Sequence, residues 1–141
     1  MKIDKVKKIG EIIEILKTNP KIEFVYNGKE LGPCEIGIAY PNYPSWVYEI
    51  EKLFEPVLNY LEVTKAIKKH KKEVADFNLL ETRAALTYFV RGERFCDGHM
   101  ASCIENGCLL QWLSRYKELL EENVWPNKNL MQWLSKCMIR V

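Results

Sequence analysis

The segment from Asn78 to Val90 constrains this chain more than any other stretch. Asn78-Leu79-Leu80-Glu81 has the form of a capping box, in which the Asn side chain takes an orphan amide and the Glu three residues on returns to the cap amide. The helix it opens carries Leu79, Leu80, Ala84, Ala85, Leu86, Tyr88, Phe89 and Val90. At about 100° per residue these surround the axis almost completely. A helix apolar on nearly every side belongs in an interior, so the rest of the chain must fold around it.

Into that helix are set Arg83, Thr87, Arg91 and, if helical turns continue through Gly92, Arg94, at spacings of 4, 4 and 3 that share one face. A guanidinium keeps its proton, so a buried Arg needs an acceptor. Glu81, Glu93, Asp97 and Glu105 are the nearest candidates. Mutual pairing would make the set a structural device that fixes how two helices cross. An Arg left unpaired in a cleft would instead accept a phosphate or carboxylate from a ligand, a task its planar fork suits.

Gly92 has a second reading, as a left-handed residue closing the helix, which would move Arg94 off the stripe. Asp97-Gly98 then reads as the cap and first turn of a helix through Glu105, stopped by Asn106-Gly107. A further helix follows, with Leu109, Trp112, Leu113, Tyr116, Leu119 and Leu120 repeating at 3 and 4.

Glu81-Thr82-Arg83, Leu86-Thr87, Val90-Arg91-Gly92-Glu93-Arg94-Phe95, Asp97-Gly98, Asn106-Gly107 and Leu113-Ser114-Arg115 together resemble a family of small prokaryotic proteins catalogued as a domain of unknown function. Its mark here is the R-G-E-R-F-x-x-G run from Arg91 to Gly98. The resemblance covers about residues 36–120, beginning near Tyr40-Pro41-x-Tyr43, and leaves the N-terminal and C-terminal helices outside it. It implies a shared signature and no mechanism.

At 141 residues and 48% hydrophobic, the chain suits one core and is too short for two ordinary domains, so residues 1–141 are expected as a single compact α+β domain. Twenty-one Lys and Arg against nineteen Asp and Glu give a net charge of +2, and any attraction to a polyanion must be local. Five cysteines, and a start that lacks a secretory signal, point to a cytoplasmic protein with reduced thiols. No apolar run suits a membrane span.

Asp4 is placed to cap a first helix with Val6, Ile9, Ile12, Ile13 and Leu16 inward, ended by Asn19-Pro20. Ile22 to Tyr26, Asn27-Gly28 and Lys29 to Leu31 predict a tight hairpin, and Cys34, Ile36, Ile38 and Tyr40 alternate as a strand does. The fold class is therefore mainly α, with five to seven helices and a small antiparallel β hairpin near residues 22–40. Pro41-Asn42-Tyr43-Pro44 reads as a turn and Ser45 as a cap. Trp46, Val47, Ile50, Leu53, Phe54, Val57, Leu58 and Leu61 continue at helical spacing through Pro56, as one kinked helix or two in series. Tyr40, Tyr43, Trp46 and Tyr48 are better explained by packing than by stacking on a base. Leu130, Met131, Trp133, Leu134, Cys137 and Met138 make a last apolar helix that docks on the core.

Thr64 begins a short helix whose Lys65, Lys68, Lys69, Lys71 and Lys72 form the densest positive run, a candidate surface for nucleic acid. No Arg or aromatic residue is interleaved, so a solvated face explains it better. Cys96, His99, Cys103 and Cys108 are the only zinc-like grouping, but the spacing fits no standard knuckle, and no cofactor is expected. Glu93, Asp97 and His99 offer an acid and base for a hydrolase without completing a relay.

These observations favour a non-catalytic binding module. Its Arg83, Arg91 and Arg94, with Glu93, Asp97 and His99 beside them, take a small anionic or phosphorylated ligand or organise a protein interface. A hydrolase using Glu93, Asp97 or His99, and nucleic-acid association through Lys65 to Lys72, are the alternatives.

Overall fold

The computed structural model describes residues 2–26 and 39–124. They form, in order, α1 (Lys2–Lys17), β1 (Glu23–Tyr26), β2 (Ala39–Asn42), α2 (Ser45–Ile50), α3 (Tyr60–Lys69), a 3-10 turn (Val74–Asp76), α4 (Leu79–Gly92), α5 (His99–Glu105) and α6 (Cys108–Val124). Mainly helical with a small antiparallel ribbon is therefore the fold. The expected Asn27-Gly28 turn, its Lys29–Leu31 arm, the alternation from Cys34 to Ile38 and the helix over residues 130–138 lie outside the described residues.

In α1 the stripe of Ile9, Ile12, Ile13 and Leu16 is buried as its spacing requires. Asp4 is not the cap; it lies within the first turn, where a carboxylate still favours the positive end of the helix. Asn19 closes the helix at φ 55° and Pro20 prevents its continuation.

The ribbon is antiparallel, as expected. β1 pairs antiparallel with Ala39–Asn42, in the register Glu23↔Asn42, Phe24↔Pro41, Val25↔Tyr40 and Tyr26↔Ala39. The stretch expected as a turn at Pro41-Asn42 is thus part of β2. Among the described residues the ribbon has two strands, both edges, and on an edge a proline's missing N–H can face away from the partner.

The apolar run from Trp46 to Leu61 becomes two helices in series. α2 ends at Ile50 and α3 opens at Tyr60, four residues ahead of the expected Thr64 start. Ser45 makes no capping bond; Pro44 precedes it as the cap residue. Between the helices Pro56 cannot donate, and the Val57 amide is taken by the Thr87 hydroxyl at 3.0 Å.

α4 is the centre. Its capping box closes as the sequence implies, with Glu81 N donating to Asn78 Oδ1 at 2.8 Å and Asn78 N to Glu81 Oε1 at 2.9 Å. Leu86 and Phe89 are wholly buried in one cluster with Ile9 and Ile12 of α1, Val47 and Ile50 of α2, and Leu109 and Leu113 of α6. Each such side chain contributes roughly 1.5–3 kcal/mol of burial. A smaller cluster of Val57, Tyr60 and Ala84 seats α3 on α4. α6 clamps two remote turns: the Tyr116 hydroxyl donates to Leu53 O at 2.8 Å, and Arg115 Nε to Phe77 O at 2.9 Å. No helix among the described residues is long and apolar enough to cross a membrane.

Candidate functional site

The arginine stripe survives past the end of α4. Gly92 is the last helical residue and keeps a negative φ, so its reading as a left-handed stop is corrected. Turns continue beyond it, with Arg94 N bonded to Arg91 O and Cys96 N to Gly92 O, both at 3.1 Å. Arg94 therefore stays on the side of the helix that holds Arg91.

The three guanidiniums meet different fates. Arg83 donates from Nε to the Glu55 carbonyl at 2.9 Å and lies 3.7 Å from the Glu55 carboxylate. It is a structural clasp on the turn that precedes α3. Arg91 is half-buried and lies over the Tyr60 ring, 5.9 Å from its centroid, within reach of a cation–π interaction. Arg94 is exposed. Neither Arg91 nor Arg94 forms an ion pair among the described residues.

Arg91 and Arg94 line one cleft of about 360 Å³, together with Glu51, Lys52, Phe54, Pro56, Thr87 and Val90. The turn after α2 forms one wall and α4 the other. Thr87 joins the two: its hydroxyl accepts Val57 N at 3.0 Å and donates to Arg83 O at 2.7 Å. Three cations face one carboxylate, Glu51, over an apolar floor of Phe54, Pro56 and Val90.

None of the four acids expected beside the arginines pairs with one. Glu81 is used by the capping box and by Lys72, whose Nζ lies 2.7 Å away. Glu105 accepts Ile22 N at 3.4 Å, and Asp97 is exposed. Glu93 turns away toward α5. Its Oε2 accepts Gly98 N at 2.9 Å, while its Oε1 accepts Met100 N and the Tyr43 hydroxyl, each at 2.8 Å. The Tyr43 oxygen in turn accepts Ala101 N at 3.0 Å. Burial, and then the bond to Glu93, push the Tyr43 phenol well above its ordinary range. Orienting the arginines is thus not the work of Glu93 or Asp97. Glu93 caps α5, the role expected of Asp97, because Gly98 enters that helix at φ 89° and no Asp97 side-chain bond reaches it.

His99 is placed as tightly. Its Nε2 lies 3.1 Å from Tyr88 O, and its ring meets the Tyr88 ring edge-on at 4.6 Å. A Cβ at Gly92 would collide with that imidazole. The two glycines of the signature thus have separate reasons: close approach at Gly92 and positive φ at Gly98. With Gly92, Glu93 and Gly98 used by the fold and Arg91 resting on Tyr60, Arg94 and Phe95 are the signature residues left without a structural task among the described residues. No packing role among the described residues accounts for Phe95, which is 83% exposed.

Cys103 Sγ lies 3.8 Å from His99 Nε2, but among the described residues no three His, Cys, Asp or Glu side chains gather as metal ligands would. Burial pushes the Cys103 thiol up to about 12, which keeps it protonated and a poor nucleophile or ligand. Asp97, at the surface, forms no side-chain bond with His99, and among the described residues Glu93 bonds only to backbone amides and Tyr43.

Of the basic run, Lys72 is tied to Glu81, and Lys69 and Lys71 are exposed. Lys65 and Lys68 border a second cleft against α4 and α6. Lys52, Glu55 and Tyr60 were not legible as site residues. Each reaches the arginine face of α4 from the segment around Pro56, and the hint was that proline, which breaks the helix beside them.

No curated protein and no solved structure was found that matches this chain. A family model matches residues 42–122, more than half the chain, and the protein belongs to that family of unknown function, DUF6508.

Proposed function

We propose that the protein is a binding module for a small ligand bearing a phosphate or carboxylate, held in the cleft between the turn after α2 and the arginine face of α4. What carries this reading is that Arg91 and Arg94 share the cleft with Lys52 while, among the described residues, no carboxylate pairs with either Arg. Arg91 supplies a planar fork steadied by Tyr60, Arg94 and Lys52 supply charge at the mouth, and Phe54 and Val90 contact the ligand's apolar part. Cys96, Cys103 and Cys108, all free, support a reducing, cytoplasmic setting.

A thermal-shift screen with inorganic phosphate, nucleotides and carboxylate metabolites tests this. A ligand at 100 times its dissociation constant stabilises the native state by about 2.7 kcal/mol, so a hit raises the melting temperature. Arg91→Ala with Arg94→Ala should remove the shift. Arg91→Lys, which keeps charge and loses the fork, should weaken it. A shift of the same size in the double variant sinks the reading.

A further inference from the structure

α4 has a second open face. Ala85 and Tyr88, which line no part of the arginine cleft, join Leu61 and Ile67 of α3, Phe77, and Trp112 of α6 around a cleft of about 360 Å³. That size lies within the range of about 300–1,000 Å³ usual for small-molecule sites. The aromatic wall is held in place: Tyr88 meets Trp112 edge-on at 6.4 Å and is braced from behind by His99 at 4.6 Å. The close approach at Gly92 thus fixes the orientation of a ring facing this cleft.

Positive charge in this cleft comes from one edge, that of α3. Thr64 spends its hydroxyl hydrogen on Leu61 O at 3.1 Å. Lys65 and Lys68 lie on the same rim, and among the described residues neither has a carboxylate within ion-pair distance. A lysine carries a compact charge on a flexible apolar stem, so it can lie along the wall and meet an anion at the mouth.

We infer that this cleft binds an amphipathic monoanion, a medium-chain acyl or arylalkyl carboxylate. Its apolar body lies between Tyr88, Trp112 and Phe77, and its carboxylate meets Lys65 and Lys68. This site is separate from the arginine cleft, so either can fail without the other.

Calorimetric titration of the full chain with decanoate, decanol and decyltrimethylammonium, all below their aggregation limits, tests the assignment. Decanoate should bind at one site per chain, and decanol at least about ten-fold more weakly, the equivalent of one good charge contact. The cation should bind more weakly still. Lys65→Glu with Lys68→Glu should weaken decanoate more than about ten-fold without lowering the melting temperature, whereas Lys65→Arg with Lys68→Arg should retain it. Excess inorganic phosphate should not compete. Absence of saturable binding, equal affinity for decanol, or decanoate binding unchanged in the Glu pair overturns the inference. A concentration-dependent dimer that Trp112→Glu abolishes, with no decanoate binding, assigns the cleft to a second copy and overturns it too.

Discussion

The Tyr43 hydroxyl donates to Glu93 at 2.8 Å and accepts the Ala101 amide at 3.0 Å, so one phenol joins the segment after β2 to the first turn of α5. Tyr43→Phe should leave Ala101 N without its acceptor and one Glu93 oxygen short of a donor, costing about 1–3 kcal/mol. Urea denaturation of Tyr43→Phe, Glu93→Gln and the double variant should show a coupling of roughly 0.5–3 kcal/mol, since both act on one network. Strict additivity would show that the two residues act separately.

Gly92 and His99 form a second coupled pair. Gly92→Ala places a methyl group against the imidazole, and overpacking of this kind costs about 1–3 kcal/mol. In a His99→Ala background the clash is gone, and the same change should become neutral or stabilise the helix by about 0.5–1 kcal/mol. A reversal of sign in thermal melts is the expected result.

Thr87 holds the wall of the arginine cleft through its hydroxyl. Thr87→Val keeps the shape but leaves Val57 N unpaired in a buried position, at a cost of about 1–3 kcal/mol. Thr87→Ser should retain most of the stability. Denaturant midpoints for the two variants check this, and equal midpoints would remove the claim.

The raised Cys103 thiol makes stability depend on pH in the alkaline range. Its contribution is fully present below the ordinary thiol value of 9.0 and is lost as pH rises toward about 12, because the unfolded chain deprotonates first. The slope reaches about 1.4 kcal/mol per pH unit. Buried Tyr43 and Tyr116, and Tyr88 at the surface, are raised as well, so the difference between wild type and Cys103→Ala isolates the thiol. At pH 8, iodoacetamide should modify exposed Cys96 well before Cys103.

Much of the helical frame was legible. The Asn78–Glu81 box, the α1 stripe, the Asn106-Gly107 stop and the face of α6 all depend on groups within about four residues of one another, the range over which helical periodicity and capping act. Asn106 shows the principle: its side chain accepts Cys108 N at 2.9 Å, so the stop of one helix also starts the next. The ribbon was legible in kind and not in pairing. β1 pairs with a strand centred on Tyr40 and Pro41, a choice that local turn chemistry does not express.

The sequence by itself determined that α4 would be central, that arginines would line one of its faces, and that the chain would be helical around it. Only the tertiary structure decided which charges meet. Arg83 finds Glu55 across 28 positions, and Glu93 finds Tyr43 across 50 while leaving Arg91 and Arg94 open. It also brought α1, outside the matched family segment, into the same core as α4 and α6. Ion pairs and clefts follow from the separation of atoms after the chain has packed, whereas helices follow from repeats along it, and only the second kind of information is written in linear order.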